Sequence, residues 1–148
     1  MGISYSTNLK NWQQSLVFHQ QVLAIARKLK NRQIEVEALS LIGAAYSYIG
    51  NMPQSIEALQ QALAIARETS DLKLEGWSLV NLAADYIVQG EFQKAMELSQ
   101  QALAIAKGER SANGQTFKDR HLEGYALIAL GTSYSVQDDY RKGLNSPL

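Results

Sequence analysis

QQALAIAR, Gln60 to Arg67, decides the reading of this chain because it is written three times. It stands as QQVLAIAR from Gln20 and as QQALAIAK from Gln100, so the starts at 20, 60 and 100 are 40 residues apart. A fixed period of that size marks a helical array, in which no unit buries its apolar face alone and each stacks on its neighbours. Function must then be read from surfaces.

Outward from the copies, helices and their punctuation recur. After a polar leader, Gly2 to Asn8, a helix is expected from about Asn8 to Leu29, with Trp12, Leu16, His19, Leu23 and Ala26 as its apolar stripe. A second helix, about Gln33 to Ile49, carries Leu39, Ile42, Gly43, Tyr46 and Ile49, and Gly50-Asn51 ends it. Pro53 suits the first turn of a third, striped by Ile56, Leu59, Leu63 and Ala66. Ser70 or Asp71 can cap a fourth helix, which carries Leu79, Leu82, Ala83 and Tyr86 inward until Gly90 breaks it; Glu91 to about Lys107 is its partner. Moving 40 positions carries Ile42-Gly43 onto Leu82-Ala83, Tyr46 onto Tyr86, Gly50 onto Gly90 and Met52 onto Phe92.

The run LIGAAYSYIGNMPQSIEALQQAL resembles a tetratricopeptide repeat through Leu39, Ile42-Gly43, Tyr46, Gly50, Ser55, Leu59 and Ala62. Small residues let paired helices approach while large ones fill the space between pairs. The resemblance covers Asn8 to about Gly143, and the 40-residue period is similar to that of kinesin light chains, spindle-orientation adaptors and many bacterial signalling proteins. It implies an all-α fold, a right-handed superhelix of antiparallel helix pairs with about six helices and a C-terminal stub. It also implies the binding of peptides or partner proteins.

Two irregularities interrupt the period. Arg27 to Gly43 and Arg67 to Ala83 each span 16 residues, but Lys107 to Gly131 spans 24, which places eight extra residues near Gly108 to His121. GERSANGQTFKDRH is polar and glycine-containing, so a protruding inserted loop is expected there. The array also starts and stops within a repeat. The expected organisation is one array, 1–148: the second helix of an incomplete repeat at 8–29, repeats at 33–68 and 71–107, the loop at 108–121, and an incomplete repeat at 122–148. In the last, Leu127, Leu130, Gly131 and Tyr134 rebuild a first helix; Asp138 replaces the expected glycine, Asp138-Asp139 reads as a turn, and Tyr140 to Leu148 is a stub halted by Pro147.

Composition sets outer limits. Fourteen basic residues offset fourteen acidic ones, so no net field draws the chain to nucleic acid or an anionic membrane. No cysteine is present for disulfides or thiolate metal sites, and neither a signal core nor a membrane-length apolar run is written, so a cytoplasmic protein is the default. The start MGISYS fits the N-myristoylation pattern at Gly2 and Ser6, a pattern short enough to arise by chance. His19 stands where the other copies have Leu59 and Ser99, and His121 lies near Asp119 and Glu123 without metal-ligand spacing. No nucleophile triad or phosphate loop is written. The expectation is no enzyme, no catalytic residue, no cofactor and no metal.

Helical arithmetic then gives a surface. With Leu39, Ile42, Gly43 and Tyr46 inward, the opposite stripe is Glu37, Leu41, Ala44 and Tyr48; its equivalents are Trp77, Asn81, Ala84 and Val88, then Tyr125, Ala129, Thr132 and Val136. In the resembled family such stripes line a concave groove. Apolar anchors there suit an extended or helical peptide, with Asn81 placed to bond its backbone. Of the lysines, arginines and asparagines with which the cochaperone type grips a terminal carboxylate, only Asn81 has a counterpart, which argues against chaperone tails. A second surface is expected at the ends, where Val17 and Phe18 widen the first helix's apolar face and Leu127, Leu130 and Tyr134 lack a full partner helix, inviting self-association. The alternative is that Ile3, Tyr5 and Leu9 fold over the first helix and the stub over the last. The reading is a non-catalytic module for a protein or peptide partner, with no nucleic-acid or membrane partner. A structural or self-assembling segment and a peptide- or ligand-sensing regulatory module are the alternatives.

Overall fold

The computed structural model describes residues 3–144, and for residues 3–7 the backbone alone. The elements are α1 (Ile3–Leu29), α2 (Arg32–Ile49), α3 (Met52–Glu68), α4 (Leu72–Val88), α5 (Phe92–Ala106), β1 (Lys107–Ala112), β2 (Gln115–Lys118) and α6 (Arg120–Leu144). Gly2 and Pro147, and the side chains of Ile3, Tyr5 and Ser6, lie outside the described residues. By repeat position α2, α4 and α6 are leading helices, and α1, α3 and α5 are returning ones.

The helix boundaries follow local chemistry. Each leading helix is capped by an Asx side chain at one repeat position: Asn31 accepts from the Ile34 amide at 3.1 Å, Asp71 from Leu74 at 3.0 Å, and Asp119 from His121 and Leu122 at 2.8 and 3.1 Å. Such a carboxamide or carboxylate satisfies amides that have no carbonyl partner in the first turn. Of the two candidate caps before α4, Asp71 bonds, while Ser70 takes φ +56 in the reversal. Gly50 at φ +92 and Gly90 at φ +78 turn the chain back after α2 and α4, in the left-handed region where a side chain would be strained.

The chain forms two compact units, Met1–Thr69 and Ser70–Leu148. In the first, α2 packs against both α1 and α3. Leu39, Ile42, Leu59 and Leu63 are buried. A methyl group at Gly43 would lie 2.9 Å from Leu59 Cγ, so the glycine is what lets α3 sit so close. In the second unit α5 packs against α4 and α6, which also touch each other. Ala83, Ala95 and Ala129, one from each helix, meet in a core of small residues bordered by half-buried Tyr86, Ile87 and Leu98. The positions of Gly43 and Leu59 are held here by Ala83 and Ser99, so a methyl gained on the leading helix is offset by bulk lost on the returning one.

Three stretches depart from the sequence reading. The leader is helical from Ile3, because nothing between Ile3 and Leu29 is glycine or proline and its serines and threonine only weaken a helix. The expected loop is an antiparallel hairpin, with Ala112 opposite Gln115. Asn113 and Gly114, at φ +52 and +75, form its two-residue turn, the type whose twist matches that of paired strands. The hairpin packs against α5 and reaches α4, where Arg110 Nη1 lies 2.6 Å from Oε1 of buried Glu75. Finally, α6 runs through Asp138-Asp139 without turning, so Tyr140 begins no returning stub within the described residues. Asp138 would be strained where Gly50 and Gly90 reverse the chain, and Lys142 Nζ instead lies 2.8 Å from its Oδ2, one helical turn on.

Candidate interaction surface

On α2, Glu37, Leu41 and Tyr48 recur at four- and seven-residue steps and are all exposed, on the face away from Leu39 and Ile42. Trp12 of α1 stacks on Tyr48, with centroids 4.2 Å apart and planes 6° from parallel. Asn8, Leu9, Trp12 and Tyr48 line a cleft of about 200 Å³. Sequence reasoning placed Trp12 on an inward stripe and missed this pairing. The signal was available: Trp12 holds the repeat position of Met52 and Phe92, at the start of α3 and α5.

On the second unit, Trp77 of α4 and Tyr125 of α6 meet edge to face, with centroids 5.6 Å apart and planes at 60°. Asn81, Val88, Tyr125 and Val136 are exposed, and Trp77 and Thr132 half-buried. Ala129 leaves the stripe assigned to it, because α6 is flanked by both α4 and α5 and the alanine is buried between them. Tyr86 sits at the rim of that core with Lys94 Nζ 5.4 Å above its ring. Both tryptophans of the chain thus pair with a tyrosine of the stripe, one in each unit. Such pairs contribute about 0.5–1.5 kcal/mol beyond the area they bury and hold the rings in place before any ligand arrives.

The titratable groups singled out from the sequence have structural partners. Asp119 caps α6, and Nδ1 of exposed His121 lies 3.8 Å from its Oδ1. Ser15 Oγ lies 3.3 Å from His19 Nδ1, one turn along α1. Buried Glu35 bridges Arg27 and Arg32 at 3.3 and 2.9 Å, and Arg32 also pairs with Glu68, which ties the start of α2 to the end of α3. The Arg32 guanidinium is held above its ordinary pKa, first by its hydrogen bond to Glu35 and then by that to Glu68. Among the described residues no three His, Cys, Asp or Glu side chains gather as a metal site requires. No described helix is long and apolar enough to cross a membrane.

Of the residues expected at the ends, Val17, Phe18, Leu127 and Tyr134 are exposed and Leu130 is half-buried. Leu9 is half-buried beside Trp12 and Tyr48.

Comparison with curated proteins finds no match. The family model described as tetratricopeptide repeat matches residues 1–68 and again 35–108. Its span covers α1 to α5, the elements that carry the repeated stripes, the Asx caps and the reversing glycines. With that match and the paired helices in register at 40 residues, the chain belongs to the tetratricopeptide repeat family.

Proposed function

We propose that the chain is a non-catalytic protein-interaction module that takes an apolar peptide segment of a partner protein on the outward stripe of α4 and α6. The observation that carries this reading is the Trp77–Tyr125 pair: two large rings held edge to face, with Tyr125 52% exposed on a helix whose other faces supply the core. Rigid aromatic groups that remain accessible are the residues that dominate binding energy at protein interfaces. Asn81, one turn from Trp77 on the same stripe, supplies donors and an acceptor for a peptide backbone. In the first unit Leu41 and Tyr48 offer anchors of the same kind, with Glu37 as the charged point.

Selection from a displayed library of random peptides tests it. Bound sequences should converge on bulky apolar residues, and both Trp77→Ala and Tyr125→Ala should abolish their recovery. Recovery that survives both substitutions would move the binding site off this stripe.

A further inference from the structure

We propose that the turn between α1 and α2 carries a binding site for a phosphate monoester, formed by Arg27, Lys30 and Arg32. Together with Glu35 these residues line a cavity of about 350 Å³ within the first unit. That volume falls in the range of small-ligand sites, about 300–1,000 Å³. The site uses no residue of the peptide stripe.

An accounting of donors and acceptors gives the sign of the ligand. Glu35 is buried and both its oxygens are engaged: Oε1 accepts from Arg27 Nε at 3.3 Å and Oε2 from Arg32 Nη1 at 2.9 Å. Arg27 Nη2 also donates to Gln61 Oε1 at 3.1 Å, and Arg32 pairs with exposed Glu68 at the rim. These bonds occupy two donors on each arginine, and a guanidinium carries five in a rigid fork. The Lys30 ammonium has neither an ion pair nor a hydrogen bond among the described residues. The lining thus offers unspent donors beside a carboxylate that is already satisfied, which suits an anion. Glu35 also fixes both forks before a ligand arrives, so little ordering is left to binding. A phosphate monoester presents three terminal oxygens to donors from three directions, whereas a carboxylate presents two in one plane.

The repeat supplies the control. Forty residues on, the buried carboxylate recurs as Glu75, which Arg110 of the hairpin meets at 2.6 Å. Ser70 and buried Leu72 stand there in place of Lys30 and Arg32. The buried glutamate is therefore part of the fold, and the two added cations belong to this turn alone of the pair. Lys30 takes φ +54, a region that suits glycine or asparagine, and Ser70 makes the same reversal at φ +56. Neither the backbone nor an ion pair calls for a lysine at this position.

Calorimetric titration of the full chain with inorganic phosphate at low ionic strength tests this, with side-chain NMR of the arginine Nε–H groups to locate the site. Binding should saturate, and the Arg27 and Arg32 resonances should shift along the same curve. Acetate should bind about tenfold more weakly or worse. Lys30→Ser, the residue of the next turn, should weaken phosphate binding by about tenfold at an unchanged melting temperature, while Lys28→Ser, which removes an exposed charge outside the cavity, should leave it unchanged. A phosphoserine tripeptide and glycerol phosphate distinguish the sources: the tighter of the two says whether a protein side chain or a free metabolite supplies the group. Phosphate binding that does not saturate at millimolar concentration, that acetate equals, or that Lys28→Ser weakens as much as Lys30→Ser overturns the proposal.

Discussion

Ser78 shows how finely one repeat position can be read. It is buried on α4, and its hydroxyl has no hydrogen-bond partner among the described residues. The equivalent residues are Ala38 on α2 and Ala126 on α6, both buried. A buried unpaired hydroxyl costs about 1–3 kcal/mol in lost hydration, and alanine is the better helix former. Ser78→Ala should therefore raise unfolding stability by about 1 kcal/mol, read from the midpoint of a urea melt at unchanged slope. A drop in stability would mean that the hydroxyl has a partner, such as an ordered water. Comparison of copies works because the repeat supplies its own controls. Gly43 against Leu59 and Ala83 against Ser99 are two solutions to one packing problem, and at Gly131, the same position on α6, an added methyl would meet nothing within 4 Å among the described residues.

Among the elements, α6 departs most from its relatives: where α2 and α4 give way to Gly50 and Gly90, it carries Asp138 and continues. Replacing Asp138 with glycine removes the ion pair to Lys142 and restores a residue that tolerates a helix-ending conformation. Asp138→Gly should speed amide exchange from residue 139 to 144 while leaving the protection of α4 and α5 intact. Unchanged protection of that segment would mean that something other than the pair holds it. The Lys142 ammonium is raised above its ordinary pKa, mainly by its hydrogen bond to Asp138. A raised lysine contributes its support below the unfolded value, so the pairing is complete at neutral pH and is lost as pH climbs through the lysine range.

What could be read from the sequence divides by element. The boundaries of α2 to α5 were legible because glycine, proline and Asx residues recur in step with the stripes. The hairpin was not, since Lys107–Ala112 and Gln115–Lys118 lack alternating apolar residues and are held by backbone pairing and neighbouring helices. Asn113-Gly114 was its one local signal. The missing glycine at Asp138 was visible as well, but the loss of one stop signal does not say where the helix ends, so its run to Leu144 was not legible.

For the whole molecule, surface separates the functional readings. Balanced charge gives the chain no net field to draw a strongly charged partner. The stripes were written as periodicities; Leu41 and Tyr48 are exposed in the first unit, and Val88, Tyr125 and Val136 in the second. Ala129 was misplaced, because period alone does not say how many neighbours a helix has. The Trp77–Tyr125 contact was out of reach, since which rings meet depends on packing between helices, whereas the departure of Trp12 from the inward stripe could have been read from its repeat position. The central claim is that this stripe binds rather than supports the core. Trp77 on the stripe and Leu79 in the core, two residues apart on α4, make the comparison within one helix. The decisive measurement is the affinity of a library-selected peptide for Trp77→Ala, set beside the urea stabilities of Trp77→Ala and Leu79→Ala. Affinity should fall by about 2 kcal/mol or more, with a stability loss well below the roughly 2–5 kcal/mol expected for Leu79→Ala. Unchanged affinity, or a stability loss equal to that of Leu79→Ala, would contradict it.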